Sequence, residues 1–456
     1  MTTSIGRRGL LLAFLLCLPI AGGAAAQEPR QAAWTVRPEW VRADEEALAG
    51  DALRGRGSAT PDEARAASWV AAEFEQLGLA RAPGMDNYLQ TATVLQPALG
   101  GAPVLTAGGR PIAGLRLLSA PTAAVGGRLA IAASDDPAAF PAGDIVALAP
   151  GSGSLRAMMR AAGAHHVRLL ILRQSADTDR LWQQVGGATH MPAFLEGEET
   201  SSVAITILPA AAFDSLQTGQ QVILDLPGMT MTRRTTTNAV GFLPGTDPNA
   251  GVLLLSAHLD HLGVRPDGVI MHGANDDASG TTAVIELARA LAAGPRSRRG
   301  IIFVAYGAEE IGGFGSRYFG AHPPVPLTSI AANIEFEMIG AQDPRLPAGS
   351  LMMTGYRRSN LGEALQAHGG LVADDPYPEE NFFQRSDNYS LALRGVVAHT
   401  LSGWAVTPTY HQPTDTIANL DIRFMTRAIQ SLIEPMRWLA SSDFQPRWNE
   451  GGQPGR

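Results

Sequence analysis

The second half of the sequence alternates between apolar strand-like runs and amphipathic helices. Strand-like runs lie at Val252–Ser256, Ile301–Tyr306, Ala332–Ile339 and Val396–Leu401, and a helical pattern fills Thr281–Ala293. Strands that are apolar on both faces are typical of a parallel sheet that helices cover on both sides. This half of the chain therefore predicts an α/β fold with a mostly parallel sheet flanked by helices.

The remaining sequence indicates an inserted domain. Thr60 to Glu63 has the N-cap, N1 proline and N3 glutamate of a helix start. Between residues 96 and 234, glycine and proline interrupt short strand-like runs, which favours a smaller β-rich α/β domain inserted into the first. The predicted parts are a signal peptide (1–26), the first part of the main domain (27–95), the insert (96–234), the rest of the main domain (235–443) and a loose tail (444–456).

The first 26 residues have the features of a secretory signal peptide. Arg7 and Arg8 precede the apolar stretch Leu10–Ile20, and Ala24–Ala26 forms a small-residue cleavage site. The apolar stretch is too short for a good transmembrane helix. The only cysteine, Cys17, lies in this peptide, so the mature chain has no disulfide and no thiol nucleophile. We expect an exported protein, periplasmic or secreted, that leaves the membrane once the signal is cleaved.

Composition and motifs exclude several classes of function. All 35 basic residues are arginine, so Schiff-base and P-loop lysines are excluded. The net charge is −8 and no basic patch is visible, which argues against nucleic acid as a partner. The sequence contains no H-E-x-x-H, G-x-S-x-G or G-x-G-x-x-G motif, so nothing in it supports a serine hydrolase or a nucleotide enzyme.

Ionisable side chains collect directly after the predicted strands. In an open α/β sheet, ligands bind outside the carboxyl ends of the strands, so these side chains predict a site at one edge of the sheet. In chain order they are His258, Asp260, Asp276, Asp277, Glu309, Glu310, Glu337, Tyr410, His411 and Asp415.

The charge of this set indicates metal ions. Its central carboxylates are Asp276, Glu309, Glu310 and Glu337, and no arginine lies within their motifs. Burying unpaired carboxylates costs several kcal/mol each, and two divalent cations would balance them. His258 and His411 offer the nitrogen ligands that zinc prefers. Asp276, between adjacent motifs, is suited to bridge two metals about 3.5–4 Å apart.

Five motifs resemble those of the secreted di-zinc aminopeptidases: SAHLDHLG, GANDDASG, GAEEIGGFGS, EMIG and TYHQPTDT. This family is related more distantly to glutamate carboxypeptidase and to the glutaminyl cyclases. The resemblance covers residues 235–440, and residues 48–79 are similar to the family's lead-in helix. Residues 143–173 resemble, in outline, the protease-associated domain that is often inserted in this family.

The resemblance implies a set of metal ligands. His258 would bind one metal, Asp276 would bridge both, and Glu310 and His411 would bind the second. Where most members have aspartate before Met-Ile-Gly, this chain has Glu337, a carboxylate on a longer arm. Glu335 lies two residues earlier on the same face of the strand and is the competing ligand. The Met-Ile-Gly register favours Glu337.

The resemblance also implies the catalytic roles. Glu309 would be the general base, and Asp260 would orient His258 from behind the metal. Tyr410 would polarise the scissile carbonyl and stabilise the oxyanion. The peptide bond within Asp276–Asp277 is often cis in the family.

For three further residues, the sequence supports more than one prediction. We expect His261 to line the pocket or support a ligand rather than to bind metal itself. Asp387 would either form a hydrogen bond with the general base or cap a loop. Trp404 would either line the substrate pocket or pack in the interior.

The sequence therefore predicts an exported metal-dependent exopeptidase that binds two Zn²⁺ per chain. It would be an aminopeptidase that removes N-terminal residues from peptides. Three alternatives stay open at this point: a glutaminyl cyclase with one zinc, a carboxypeptidase, and a non-catalytic binding protein on the same fold.

Overall fold

The structure, a computed structural model, describes Met1 and residues 34–120, 123–134, 136–149, 155–184, 186–189, 191–198 and 203–455. The chain divides into two units, Met1–Trp34 and Thr35–Arg456. The predicted signal peptide after Met1 and its cleavage site lie outside the described residues. Every element below belongs to the second unit, and none of its described helices is long and apolar enough to cross a membrane.

The described helices occur throughout the second unit. They are α1 (Pro38–Leu48), α2 (Pro61–Gln76), α3 (Leu155–Ala164), α4 (Ala176–Gln184), α5 (Ala210–Asp214), α6 (Ser279–Ala292), α7 (Phe314–Ala321), α8 (Leu361–Ala367), α9 (Asn388–Ala392) and α10 (Ile422–Ser441). The predicted helix at Thr281–Ala293 corresponds to α6.

The described strands form two large sheets and one short hairpin. Up to residue 131 they are β1 (Leu89–Ala98), β2 (Val104–Ala107), β3 (Arg110–Pro111), β4 (Arg116–Ser119) and β5 (Val125–Ile131). Up to residue 243 they are β6 (Ile145–Leu148), β7 (Leu169–Arg173), β8 (Phe194–Leu195), β9 (Ala204–Leu208), β10 (Gln221–Asp225) and β11 (Thr230–Leu243). The remainder are β12 (Val252–His258), β13 (Gly263–Val264), β14 (Ile270–Met271), β15 (Gly300–Tyr306), β16 (Ile330–Glu337), β17 (Leu351–Met353), β18 (Val372–Asp374) and β19 (Ala398–Ser402).

The central sheet has the order β18-β17-β19-β16-β12-β15-β11-β1-β8. Its four middle strands, β19, β16, β12 and β15, run parallel. β11, β1 and β8 add antiparallel pairs on one side, and β17 pairs antiparallel with β19 on the other. The predicted α/β class is confirmed, but parallel pairing is limited to the centre and to the β17–β18 pair.

Helices cover both faces of this sheet, which explains its continuous apolar strands. Every residue of β12 and β15 is buried. Phe303 contacts Phe74 of α2, and Tyr306 contacts Phe319 of α7. Since side chains three residues apart point to opposite faces of a strand, α2 and α7 lie on opposite sides of β15.

The second sheet is built from residues 104–225, in the order β3-β2-β10-β5-β6-β7-β9-β4. It has apolar clusters of its own, one around Leu129 and Leu169 and another around Val146 and Leu170. The predicted boundary at residue 96 falls inside β1, which pairs with β11 along its whole length. The likeness of this region to a protease-associated domain stays a prediction.

The residues that begin α2 form hydrogen bonds both within their own segment and with a distant turn. The Thr60 side chain accepts a hydrogen bond from the Asp62 amide, as expected of an N-cap. The carboxylate of Glu63, at the N3 position, does not accept a hydrogen bond from the Thr60 amide. It accepts hydrogen bonds from the amides of Ala59 at 2.6 Å and Ala308 at 3.0 Å. The N-terminal segment is thereby attached to the turn after β15.

Arg56 is a fully buried arginine that connects separate loops. Its Nε donates to the carbonyl of Leu259 at 2.6 Å, and its Nη2 donates to that of Gly273 at 2.7 Å. Its Nη1 donates to the carbonyls of Leu48 and His272 at 2.7 and 2.8 Å. One guanidinium thus fixes the chain after β12 to the turn before α6.

Replacing Arg56 is expected to destabilise the protein strongly. Arg56→Met leaves four carbonyls short of a donor, and buried unsatisfied groups cost about 1–3 kcal/mol each. We expect the free energy of unfolding to fall by at least about 3 kcal/mol in a urea titration. The control is Arg42→Met, whose side chain is 54% exposed and which should change stability by less than about 0.5 kcal/mol. Equal losses in both variants would contradict a connecting role for Arg56.

Candidate metal centre

Two groups of metal-donor side chains lie at the carboxyl edge of the central sheet. The first donor group is His258, Asp276 and Glu337, and the second donor group is His261, Asp276, Glu310 and His411. Within each group the donor atoms lie within 4.8 Å of one another. The structure thus brings together all five residues predicted as ligands, places Asp276 in both groups and adds His261.

Strand ends position most of these residues. His258 is the last residue of β12, and Glu337 is the last residue of β16. Glu310 follows β15, and His411 follows β19 in the next loop. Asp276 lies in the irregular turn that opens α6. Because β12, β15, β16 and β19 are parallel, their carboxyl ends meet at one edge.

Asp276 faces both groups with different oxygen atoms. Its Oδ1 lies 3.3 Å from Nε2 of His258. Its Oδ2 lies 3.2 Å from Nε2 of His411, which is also 3.0 Å from Oε2 of Glu310. A carboxylate in this position can hold two ions, one on each oxygen.

The residues of these groups fit divalent metal ions. Nε2 of His258, Nε2 of His411 and Oδ2 of Asp276 are buried, and none forms a hydrogen bond within the described part of the chain. Leaving such atoms unsatisfied costs about 1–3 kcal/mol each, whereas coordination to a metal satisfies them. Imidazole and carboxylate are the donors with which proteins bind zinc when cysteine is absent.

Asp277 supports the ligands through the backbone. The Asp276–Asp277 peptide bond is cis, as the family resemblance leads us to expect. The Asp277 carboxylate accepts hydrogen bonds from the amides of Met338 at 2.9 Å, Gly280 at 3.0 Å and His258 at 3.3 Å. It therefore joins β12, β16 and the start of α6 at the point where their ligands converge.

Asp260 contacts His258, which it is predicted to orient, and also forms hydrogen bonds with other parts of the site. Nδ1 of His258 lies 3.2 Å from the backbone carbonyl of Asp260 and 3.7 Å from its carboxylate. The carboxylate itself accepts hydrogen bonds from Ser58 Oγ at 2.5 Å and from the amides of Glu309 and Glu310 at 3.0 and 3.3 Å. Its closer partners are thus the backbone of the predicted base and the segment before α2.

Glu309 lies beside the metal-donor groups without belonging to either. Its removal from water raises the pKa of its carboxyl well above the ordinary value, and the charges of Asp387, Glu337 and Glu310 raise it further. A raised pKa brings a carboxyl toward the range in which it can exchange protons near neutral pH.

Tyr410 stacks on a ligand. Its ring lies 3.9 Å from that of His411, measured between centroids, with an angle of 18° between the planes. Burial raises the pKa of its hydroxyl, and the nearby charges of Asp276 and Glu310 act in the same direction. The hydroxyl is therefore neutral at physiological pH and available as a hydrogen-bond donor.

A cavity of about 690 Å³ opens next to Glu309. Its lining includes Asp387, which is 2% exposed and whose carboxylate oxygens form no hydrogen bond within the described residues. Neither predicted contact of Asp387, a hydrogen bond with the general base or a loop cap, is therefore made. Trp404 is half-buried and does not line this cavity.

Sequence analysis missed several residues that support the site, because the sequence around each of them indicates only local structure. Thr60 to Glu63 is typical of an ordinary helix start, and nothing in the sequence shows that Glu63 reaches Ala308. Ser58 and Arg56 lie in a short Gly-rich and Arg-rich stretch with no motif. Their contacts to Asp260 and to the ligand loops span about 200 residues and exist only in the folded chain.

The choice between Glu335 and Glu337 can be tested by metal content. Glu335 Oε2 already accepts hydrogen bonds from the Asn388 amide at 2.7 Å and from Thr400 Oγ1 at 3.0 Å. We expect Glu337→Gln to weaken metal binding by more than the roughly 10–100-fold that losing a supporting partner costs. The matched variant Glu335→Gln should keep its metal through the same dialysis. Elemental analysis of both proteins checks this, and greater metal loss in Glu335→Gln would reverse the assignment.

Part of the chain is similar to known peptidases. Residues 238–435 match Peptidase family M28. Leupeptin-inactivating enzyme 1 of Streptomyces exfoliatus is 36% identical over 220 residues, which are 43% of this chain and 49% of that protein. Aminopeptidase YwaD of Bacillus subtilis (strain 168) is 30% identical over 142 residues, which are 31% of this chain and 30% of that protein. This chain thus covers less than half the length of both relatives.

A solved structure supports the fold over most of the chain. BSAP, a zinc aminopeptidase from Bacillus subtilis, aligns with a TM-score of 0.52 at 20% sequence identity. The alignment covers 90% of this chain and 97% of that one. The region from 238 to 435 contains both donor groups and Glu309. This is the region that matches Peptidase family M28.

Proposed function

We propose that this protein is a zinc-dependent aminopeptidase that removes N-terminal residues from peptides. The observation that carries the proposal is the pair of donor groups that share Asp276 and lie beside Glu309, a carboxylate that belongs to neither group. The family match and the aminopeptidase among the relatives support the same reaction.

We propose zinc as the metal, with two ions per chain. His258 and Glu337 would hold one ion, His411 and Glu310 would hold the other, and Asp276 would hold both. When bound, the ions would lower the pKa of a coordinated water and polarise the scissile carbonyl. The mixture of imidazole and carboxylate donors supports zinc over magnesium or calcium, which favour oxygen ligands alone.

Glu309 is the proposed general base. Its amide donates to the carboxylate of Asp260, so its backbone is fixed relative to the segment before α2. In the reaction its carboxylate would accept the proton of the attacking water and later donate it to the leaving amine. Because Glu309 directly precedes Glu310, its carboxylate would lie close to the metal ions without being one of their ligands.

The carboxylates of Glu309 and Asp387 offer a counter-charge to a cationic amino terminus. The cavity that they border is also lined by three arginines, Arg317, Arg385 and Arg394. Asp387 borders the same cavity as Glu309, and its buried carboxylate has no hydrogen-bond partner among the described residues. A free ammonium group would gain from nearby carboxylates, whereas a blocked amino group would not. The cavity would take the side chain of the first residue, and Tyr410 would donate to the developing oxyanion.

Export to the periplasm or the medium is part of the proposal. It rests on the predicted signal peptide of residues 1–26, which lies outside the described residues apart from Met1. Peptides in that compartment are the proposed substrates.

Replacing the base should separate metal binding from turnover. Glu309→Gln keeps the size of the side chain and removes its ability to take a proton, so kcat is expected to fall about 10²–10⁴-fold. Its zinc content should equal that of the unaltered protein, whereas Glu310→Gln should lose zinc. Hydrolysis of aminoacyl anilides and elemental analysis measure the two quantities. Normal turnover by Glu309→Gln would exclude the mechanism.

The same assay distinguishes the alternatives through its substrates. An aminopeptidase cleaves a dipeptide with a blocked carboxyl group and leaves one with a blocked amino group intact. The reverse preference would indicate a carboxypeptidase. Cyclisation of N-terminal glutamine with one zinc per chain would indicate a glutaminyl cyclase. Binding of peptides without any turnover would indicate a non-catalytic protein.

A further inference from the structure

His261 lies among the residues of the second donor group. Its side chain is fully buried. Its Nδ1 lies 2.7 Å from Oε1 of Glu310 and 3.8 Å from Oδ2 of Asp276. Its ring is 5.7 Å from that of His411, at an angle of 70°. Two imidazoles therefore approach the same two carboxylates from different directions.

Backbone hydrogen bonds fix the position of His261, and a nearby glycine leaves room for its ring. The His261 amide donates to the carbonyl of Arg56 at 3.1 Å, and its own carbonyl accepts from the amide of Ser58 at 3.2 Å. On the ring side, Gly273 has a φ of 59°, and a Cβ at this position would lie 2.4 Å from Cγ of His261. Space for the ring thus depends on a glycine at residue 273.

The distances around His411 match a shared coordination sphere, and the two distances from His261 Nδ1, 2.7 and 3.8 Å, lie on either side of the spacing expected there. Zn–N and Zn–O bonds of about 2.0–2.1 Å place neighbouring tetrahedral donors roughly 3.3 Å apart. His411 Nε2 lies 3.0 and 3.2 Å from the oxygens of Glu310 and Asp276. His261 Nδ1 faces the other oxygen of Glu310 and the same oxygen of Asp276.

We propose that His261 is a fourth protein ligand of the second metal ion, through Nδ1. The two metal sites are then unequal. The second donor group offers two imidazoles and two carboxylates, whereas the first offers one imidazole and two carboxylates. Four protein ligands are typical of zinc sites that hold their ion permanently, and three are typical of sites with an open position.

The unequal sites have a functional consequence. The first ion added to metal-free protein goes to the second donor group, and the ion held by His258 and Glu337 is the one that a chelator removes first. The open coordination position lies on the side of the first donor group. This inference rests on the proposed metal centre and is independent of whether the protein cleaves peptides.

The direct test counts imidazoles around a single zinc ion. Metal-free protein receives one equivalent of Zn²⁺, and zinc X-ray absorption reports the number of coordinated imidazoles. We expect two imidazoles in the unaltered protein and one in His261→Ala. One imidazole in the unaltered protein would overturn the proposal and leave His261 as a hydrogen-bond donor to Glu310.

Binding affinity provides a second readout. Competition with a chromophoric chelator should show one tight and one weaker zinc site. His261→Ala should weaken the tight site by more than the roughly 10–100-fold cost of losing a supporting partner, and His258→Ala should affect the weaker site. Equal affinities in the unaltered protein, or an unchanged tight site in His261→Ala, would overturn the proposal.

The matched control is His272→Ala. The His272 side chain contacts Asp51, whose side chain is 86% exposed, and it belongs to neither donor group. Both zinc affinities should be unchanged in this variant, and circular dichroism checks the folding of all three variants. Failure of the unaltered protein to bind any zinc would reject the metal centre itself, and with it the proposed function.

Discussion

The crowding of carboxylates at one edge of the central sheet is the constraint on which the site depends. Asp276, Glu309, Glu310 and Glu337 converge there at low exposure, where charges interact more strongly than in water. Such a cluster needs positive charge close by, and the histidines of the two donor groups are arranged to share metal ions with it. Asp276, which belongs to both groups, links them geometrically.

A second set of acidic residues holds the backbone of the first. Asp260, Asp277 and Asp415 each accept amide hydrogen bonds from metal-donor residues or their immediate neighbours. Glu63 does the same for the turn that precedes Glu309. These hydrogen bonds fix the backbone of the metal-donor residues and do not occupy their side chains. The segment before α2, which looked like a simple entry to a helix, is therefore part of the support of the site.

The sequence predicted the central strands well because their apolar runs are long and end in polar motifs. The run at Ile301–Tyr306 corresponds to β15 within one residue, and the run at Val252–Ser256 lies within β12. It predicted too much parallel pairing, because β11 and β1 carry no signal for the direction in which they pair. The position of His261 within the second donor group was also not predicted. His261 follows His258 by three residues, just past the end of β12, where the strand periodicity no longer defines the direction of a side chain.

The sequence by itself determined the chemistry available at the site: two kinds of metal donor, a spare glutamate after β15 and no cysteine or lysine to suggest another reaction. These are properties of residue type and order, which local patterns record. The tertiary structure decided which donors lie together, which carboxylates bind backbone amides, and how Arg56 bonds to loops about 200 residues away from it in sequence. Such contacts depend on the pairing of distant strands and on the packing of buried side chains, and no local pattern encodes them.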